Sequence, residues 1–210
     1  HYRLMKDRLG MPHMPATGVS GVDLYARDDQ GRWRWVQVTR PDKQELKVEI
    51  IRDLAPGERE YAAYLPLYNG VSKLELSGNE GMPLEPIAAH REENAIIVYG
   101  TSIAQGGCAS RPGNAWPSMV GRDLGRSVIN LGFSGNGKME PEVGKFLVEL
   151  KPAVFVIDCC PNLSGNDTAE RTKPLVAQLR ASHPVVPILL VEDRRYTDAW
   201  VKPTRGDHND

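Results

Sequence analysis

The chain has 210 residues, of which 40% are hydrophobic and 25% charged, with 26 Lys and Arg against 27 Asp and Glu. This composition is typical of a folded protein of one large or two small domains, and the balanced charge argues against nucleic-acid binding as the main function. The longest apolar runs, residues 154–157 and 185–191, are too short for a membrane-spanning helix, and three cysteines without a CxxC pair indicate neither a disulfide scaffold nor a structural zinc site.

The N-terminal half predicts short antiparallel strands. Candidate strands separated by turn residues are 22–27, 32–40, 46–50, 61–68 and 73–76. The first two flank the turn sequence Asp28–Gly31, as in a hairpin. In the third, strict alternation places Leu46, Val48 and Ile50 on one face. Turns at this spacing predict an antiparallel, jelly-roll-like β-sandwich over residues 1–88.

The C-terminal half predicts strands that alternate with helices. Continuous apolar runs, as in strands buried on both faces, are 95–99, 127–131, 153–157 and 185–191. A helix is predicted behind Pro141, with an apolar stripe formed by Val143, Phe146, Leu147 and Leu150. A second helix is predicted to begin at a capping box over Asp167–Glu170 and to run to Ser182. Alternating strands and helices indicate an α/β domain with a parallel sheet over residues 93–210.

Three loops follow successive strands of the predicted parallel sheet, and ligands of such sheets bind at this edge. Ser102 lies two residues after the first strand, where it is either an exposed nucleophile or a plain helix N-cap. Residues 130–137 contain three glycines, which suit either a backbone N–H donor to a ligand or a flexible turn. Asn162 follows the third strand as a side-chain donor or a turn residue. Together these groups are what acyl transfer requires, namely a hydroxyl and oxyanion donors.

The order and spacing of these loops resemble those of the SGNH (GDSL-like) hydrolases. The segments that resemble the family's serine, glycine and asparagine blocks are residues 99–102, 130–135 and 160–162. The resemblance implies that Ser102 is the nucleophile and that the Gly135 N–H and the Asn162 amide are oxyanion donors. It also implies a three-layer α/β/α, flavodoxin-like domain. Thr101 departs from the family, which has aspartate at this position.

Two upstream motifs resemble the β-sandwich domain called GxDLY, which precedes one bacterial branch of these hydrolases. They are Gly21–Tyr25 and residues 64–70, and they occur in the expected order before the serine block. The resemblance therefore covers about residues 18–200.

The family's Asp-x-x-His block is missing from the sequence. No histidine follows an acidic residue by three positions, and His90 and His183 are interpreted as solvated surface residues at the amino edge of the sheet. His208 would reach the site only if the C-terminal tail folds back. The simpler expectation is that one more strand, the last helix and the catalytic His and Asp follow Asp210. His1 begins the chain without a leader pattern, and the sequence indicates neither a compartment nor an oligomeric state.

Two other patterns suggest different functions. Residues 132–138 nearly match a nucleotide-binding P-loop, but Met139 replaces the Ser or Thr that would hold magnesium, and acidic residues follow. Trp33 and Trp35 share one face of a strand, where they are interpreted as part of the sandwich core or of a domain interface, with stacking on sugar rings as the alternative. Arg111 is interpreted as a structural loop residue, with contact to an acidic substrate group as the alternative.

The sequence therefore predicts a serine esterase that acts on small acyl esters, acetyl esters of carbohydrate among them. Ser102, Gly135 and Asn162 are the predicted site residues, and the chemistry needs no cofactor or metal. The predicted partner is a small-molecule or carbohydrate ester, with neither nucleic acid nor a membrane span. The alternative is a non-catalytic carbohydrate-binding protein with a degenerate hydrolase domain.

Overall fold

A computed structural model describes residues 1–79, 81–87 and 94–202. The chain forms two compact units, one comprising His1–Ala88 with Gly106–Arg122 and the other Ala89–Gln105 with Asp123–Asp210. The strands are β1 Tyr2–Leu4, β2 Asp23–Arg27, β3 Trp33–Val38, β4 Glu45–Leu46, β5 Tyr61–Tyr64, β6 Val71–Leu74, β7 Ala95–Gly100, β8 Val128–Gly132, β9 Pro152–Asp158 and β10 Ile188–Leu190. The α-helices are α1 Ala16–Val19, α2 Ser102–Gln105, α3 Trp116–Leu124, α4 Pro141–Leu147 and α5 Gly165–Ser182. Among the described residues, no helix has both the length and the apolar character needed to cross a membrane.

The first unit contains two antiparallel sheets, with strand orders β4-β1-β6 and β3-β2-β5. The predicted hairpin is confirmed, since β2 pairs with β3 across a turn in which the Asp28 carboxylate accepts the N–H groups of Gln30 and Arg32. Gly31 has φ +73°, a conformation that glycine adopts without strain. A small core is formed by Tyr2, Leu4, Val22 and Leu46.

The strand predicted over residues 46–50 is wrong in extent, because only Glu45 and Leu46 pair with a neighbour. Their partner β1 is three residues long and had no visible pattern in the sequence. The pairing therefore covers fewer residues than the alternation of Leu46, Val48 and Ile50 predicted, and Val48 is 43% exposed.

The second unit is built on a parallel sheet with the strand order β10-β9-β7-β8. Every residue of β7 is buried, as its continuous apolar run predicted. One face of the sheet packs against α4 and α5, in a core that includes Phe155, Leu147 and Leu179. Antiparallel sheets followed by a parallel sheet with helices confirm the predicted fold class.

Two helix predictions need correction. Helix α4 ends at Leu147, so the predicted stripe is incomplete, and Phe146 is 68% exposed while Leu147 is fully buried. In α5 the cap is Ser164 rather than Asp167, because the Ser164 hydroxyl accepts the Asp167 N–H and the Asp167 carboxylate accepts the Ser164 N–H. Asp167 is the reciprocal partner in the first turn, and the helix ends at Ser182 as predicted.

Candidate active site

The loops after β7, β8 and β9 begin at the same level of the parallel sheet. Gly100, the last residue of β7, lies opposite Gly132 on one side and Asp158 on the other. A Cβ on Gly100 would lie 2.8 Å from the Asp158 carbonyl oxygen and 2.9 Å from the Ala104 Cβ. Glycine is therefore required at this corner, because any side chain would push the neighbouring strand or helix away.

Ser102 is the first residue of α2, and it is half-buried. The residue in the capping position is Thr101, whose hydroxyl accepts the Ile103 N–H at 3.3 Å and whose carbonyl accepts the Gln105 N–H at 3.0 Å. The interpretation of Ser102 as a plain N-cap is therefore wrong. Thr101 is fully buried and stands where the family has aspartate, so this departure serves the local helix.

Residues 133–140, which we call the glycine loop, lie against the corner that bears Ser102. The Phe133 N–H donates to the Gly100 carbonyl at 2.9 Å, and a Cβ on Gly137 would lie 2.0 Å from the same oxygen. The Ser134 N–H donates to Oε1 of Gln105 at 2.9 Å. Gly135 is exposed, has φ +73° and has open space around it. The backbone conformation, and not close packing, therefore explains why this residue is a glycine.

Asn162 ends a short 3₁₀ helix, Cys160–Asn162, directly after β9. Its side-chain Nδ2 donates to the Asn136 carbonyl oxygen at 2.5 Å, which joins the asparagine loop to the glycine loop. An amide nitrogen carries two hydrogens, so one N–H remains for a second acceptor. The roles of Asn136 and Gln105 were not predicted, and nothing in the sequence signals them except their positions beside Gly135 and Ser102.

Two acidic side chains, Asp158 and Asp193, lie near each other at this edge. Burial is the main cause that raises the pKa of Asp158 to about 6, and the nearby charge of Asp193 is the second cause. Asp193 also pairs with Arg194 at 2.7 Å, and the same guanidinium donates to the Pro161 carbonyl at 3.2 Å. By contrast, burial raises the pKa of the Cys159 thiol to about 12, which makes it a poor nucleophile.

The described histidines are all engaged elsewhere or exposed. His183 is not the solvated residue that the sequence predicted, because it packs on Phe155 with ring centroids 5.5 Å apart and contacts the Val148 carbonyl through Nε2 at 3.1 Å. It does lie at the amino edge of the sheet, between α5 and β10. His1 contacts Glu45 and Glu75 in the first unit. His90 and His208 lie outside the described residues, so no proton acceptor is assigned here.

The patterns that suggested other functions have structural roles. Met139 is buried in the core and Glu140 accepts the Lys138 N–H, so the near P-loop presents a carboxylate where a phosphate would bind. In the part of the chain that the structure describes, no group of three or more His, Cys, Asp or Glu side chains could hold a metal ion.

In the first unit, Trp35 is 48% exposed, so its interpretation as part of the sandwich core is wrong. The guanidinium carbon of Arg111 lies 4.8 Å from the centroid of the Trp35 ring. Arg111 also pairs with the buried carboxylate of Asp23, at a distance of 3.5 Å. The Asp23 carboxylate also accepts the Trp35 indole N–H at 2.9 Å. Arg111 is therefore a structural residue, as the sequence indicated.

Residues 93–210 match the GDSL-like lipase/acylhydrolase family, and this match covers more than half of the chain. The chain belongs to this family. Residues 1–83 match the GxDLY domain, the N-terminus of SGNH-hydrolase-type esterases, so both halves of the predicted resemblance are confirmed. No match was found among curated proteins.

Two solved structures resemble this GDSL-family chain. A candidate GDSL-like lipase from Bacteroides ovatus ATCC 8483 is 32% identical to this chain, with a TM-score of 0.86. The match covers 99% of this chain and 60% of the lipase chain. The chain thus spans about 60% of that protein's length. The salicylyl-acyltransferase SsfX3 from a tetracycline biosynthetic pathway is 20% identical, with a TM-score of 0.58 over 91% of this chain and 62% of its own, a likeness of fold alone.

Proposed function

We propose that this GDSL-family protein is a serine esterase that cleaves small acyl esters through an acyl-enzyme on Ser102. The observation that carries the proposal is the hydrogen-bonded contact among the three edge loops. The Gly100 carbonyl accepts the Phe133 N–H, and the Asn136 carbonyl accepts a side-chain N–H of Asn162. These bonds support a shared site for Ser102, the glycine loop and the Asn162 amide.

In the proposed reaction, the Ser102 hydroxyl attacks the carbonyl carbon of the ester. The carbonyl oxygen becomes an oxyanion, and the backbone N–H groups of Ser102 and Gly135 and the second amide N–H of Asn162 donate to it. The alcohol leaves with a proton, and water then releases the acyl group from Ser102. The group that accepts the proton of the Ser102 hydroxyl is proposed to be the histidine of an Asp-x-x-His block, as the family resemblance implies.

The decisive experiment is labelling with a fluorophosphonate probe, with the adduct located by mass spectrometry. The protein used should include the Asp-x-x-His block that the family resemblance implies, because without a proton acceptor Ser102 is a weak nucleophile. Wild-type protein of this extent should be labelled at Ser102, and Ser102→Ala should abolish the adduct. Ser118→Ala is the matched control, because Ser118 is also a half-buried helical serine and lies outside the proposed site. Asn162→Ala should slow labelling by about 10²–10³-fold, as for loss of one oxyanion donor. An unlabelled wild type, or labelling that survives Ser102→Ala, would overturn the proposal.

The acyl group is proposed to be small, with acetyl esters of carbohydrate among the substrates. Rates with p-nitrophenyl acetate, butyrate and octanoate test this, since a site for small acyl groups should favour acetate. A faster reaction with octanoate would contradict it. Release of free acid rather than transfer to an added alcohol would distinguish hydrolysis from acyl transfer.

A second candidate function is carbohydrate binding without catalysis, and the exposed ring of Trp35 favours it. Tryptophan rings with one open face stack on sugars. Titration with acetylated xylo-oligosaccharide, followed by tryptophan fluorescence, should then give saturable binding that Trp35→Ala abolishes. Binding without any labelling at Ser102 would favour this candidate over the esterase.

A further inference from the structure

Tyr99, near the end of β7, contacts both ends of the glycine loop. Its side chain is fully buried, three residues before Ser102 in the sequence. Its ring meets Phe133 edge-on, with centroids 6.2 Å apart, at the beginning of the loop. Its hydroxyl donates to the carboxylate of Glu140 at the end of the loop. One side chain on the strand that leads to the nucleophile therefore anchors the loop on both sides.

Glu140 completes this anchor from the side of the loop. Its carboxylate accepts the Lys138 N–H at 2.7 Å, and its own N–H donates to the Tyr99 hydroxyl oxygen at 3.2 Å. Arg171 of α5 donates to the Lys138 carbonyl at 3.2 Å. Both backbone groups of Lys138 are thus hydrogen-bonded, and these bonds hold the C-terminal end of the loop.

Gly135 itself has no such packing, because it is exposed and a Cβ on it would touch nothing within 4 Å. Its neighbours are held, since Ser134 donates to Gln105 and the Asn136 carbonyl accepts from Asn162. The position of the Gly135 N–H therefore depends on how firmly the rest of the loop is held, including its two ends. Catalytic donors need to be fixed before the reaction, because a displacement of about 1 Å can lower a rate by about 10²-fold.

We propose that Tyr99 and Glu140 are positioning residues for the oxyanion donor Gly135. They act through the backbone of the glycine loop and do not contact the substrate. This inference rests on the proposed esterase function, because it assigns a catalytic purpose to the anchored loop.

Tyr99→Phe is the sharpest test, because it removes the hydroxyl and keeps the ring against Phe133. Tyr2→Phe is the matched control. Tyr2 is also a buried tyrosine, and its hydroxyl contacts Thr39 at 2.8 Å in the first unit. Backbone hydrogen exchange should become about tenfold faster or more over residues 133–140 in Tyr99→Phe only. Equal exchange in that segment for the two variants and wild type would overturn the proposed anchor.

Glu140 offers a graded pair of substitutions. Glu140→Gln retains an oxygen that can accept from the Tyr99 hydroxyl or the Lys138 N–H, whereas Glu140→Ala retains none. Exchange over the loop should therefore rise in the order wild type, Glu140→Gln, Glu140→Ala. If backbone hydrogen exchange over the loop were as fast in Glu140→Gln as in Glu140→Ala, the assigned hydrogen bonds would be contradicted.

The catalytic consequence is read from the rate of fluorophosphonate labelling at Ser102. Tyr99→Phe should lower this rate about tenfold to a hundredfold, while Tyr2→Phe should leave it within twofold of wild type. With an ester substrate, the change should appear in kcat and not in KM, because the oxyanion forms only in the reaction. Loop exchange that rises while labelling and kcat stay unchanged would overturn the positioning role. An unlabelled wild type would refute the esterase and its positioning residues together, and exchange would then decide only whether the anchor exists.

Discussion

Each unit of the protein buries one aspartate at the end of a strand, and the two carboxyl groups have very different surroundings. Asp23 begins β2 in the first unit and is fully buried, while Asp158 ends β9 in the second and is 7% exposed. Burial raises the pKa of both carboxyl groups. Asp23 accepts the Gly113 N–H at 2.8 Å and the Trp35 N–H, and Arg111 lies beside it. The charged neighbour that acts on Asp158 is another acid, Asp193.

The difference shows how the surroundings of a buried charge determine its effect on stability. The donors around Asp23 offset part of the desolvation and lower its pKa again, although the net shift is still upward. The like charge near Asp158 adds to the desolvation. The ionisation of both carboxyl groups is thus disfavoured in the folded chain, but Asp23 has donors that would be left unpaired without it. We therefore expect removal of the Asp23 side chain to destabilise the folded chain and removal of the Asp158 charge to stabilise it.

The largest expected effect comes from Asp23→Ala. It leaves Arg111 without its carboxylate partner and the Gly113 N–H without an acceptor, which should lower the free energy of unfolding by about 3 kcal/mol at pH 7. Urea denaturation measures the loss. Asp23→Asn is the control, since it keeps an acceptor oxygen and should be less damaging. A loss below about 1 kcal/mol for Asp23→Ala would contradict the stabilising role.

Asp158→Asn should have the opposite sign and depend on pH. The folded-state pKa of about 6 lies above the ordinary aspartate value of 3.8, so protonated Asp158 is favoured in the folded protein and stability is lost as the pH rises through about 6. At pH 8 the substitution should therefore stabilise the protein by about 2–3 kcal/mol, and the gain should vanish near pH 4. Unfolding measured at both pH values checks this. A gain independent of pH would show that titration of Asp158 is not its cause.

Trp35→Phe should produce a smaller effect, because it removes one hydrogen-bond donor from Asp23 and leaves the others. We expect a loss of about 1 kcal/mol in the free energy of unfolding. Trp33→Phe is a matched control on the same strand, since Trp33 also faces an arginine, with Arg27 4.4 Å from its ring centroid. If both substitutions had equal effects, the bond from Trp35 to Asp23 would contribute nothing measurable.

The smallest effect is expected for an ion pair at the surface. Arg52 and Glu49 pair at 2.7 Å with both side chains more than half exposed. Glu49→Gln should change the free energy of unfolding by less than about 0.5 kcal/mol, and added salt should reduce even this difference. A larger effect would mean that the exposure of an ion pair does not predict its contribution to the free energy of unfolding in this protein.

The sequence determined most of the strands and which loops lie at one edge of the parallel sheet. The apolar run of residues 95–99 predicted β7, because a strand covered on both faces needs no polar side. The spacing of Ser102, Gly135 and Asn162 relative to their strands predicted that their loops would share one edge, since parallel strands end on the same side. These features follow from local patterns that a single chain displays.

Only the tertiary structure decided which groups contact each other. Thr101 rather than Ser102 caps α2, only Glu45 and Leu46 of the predicted strand pair with β1, and Phe146 faces outward while Leu147 is buried. The bonds from Asn162 to Asn136 and from Tyr99 to Glu140 likewise join residues far apart in the chain. Such contacts depend on the packing of loops and side chains across neighbouring strands, and a local sequence pattern does not encode which distant partner a polar group will meet.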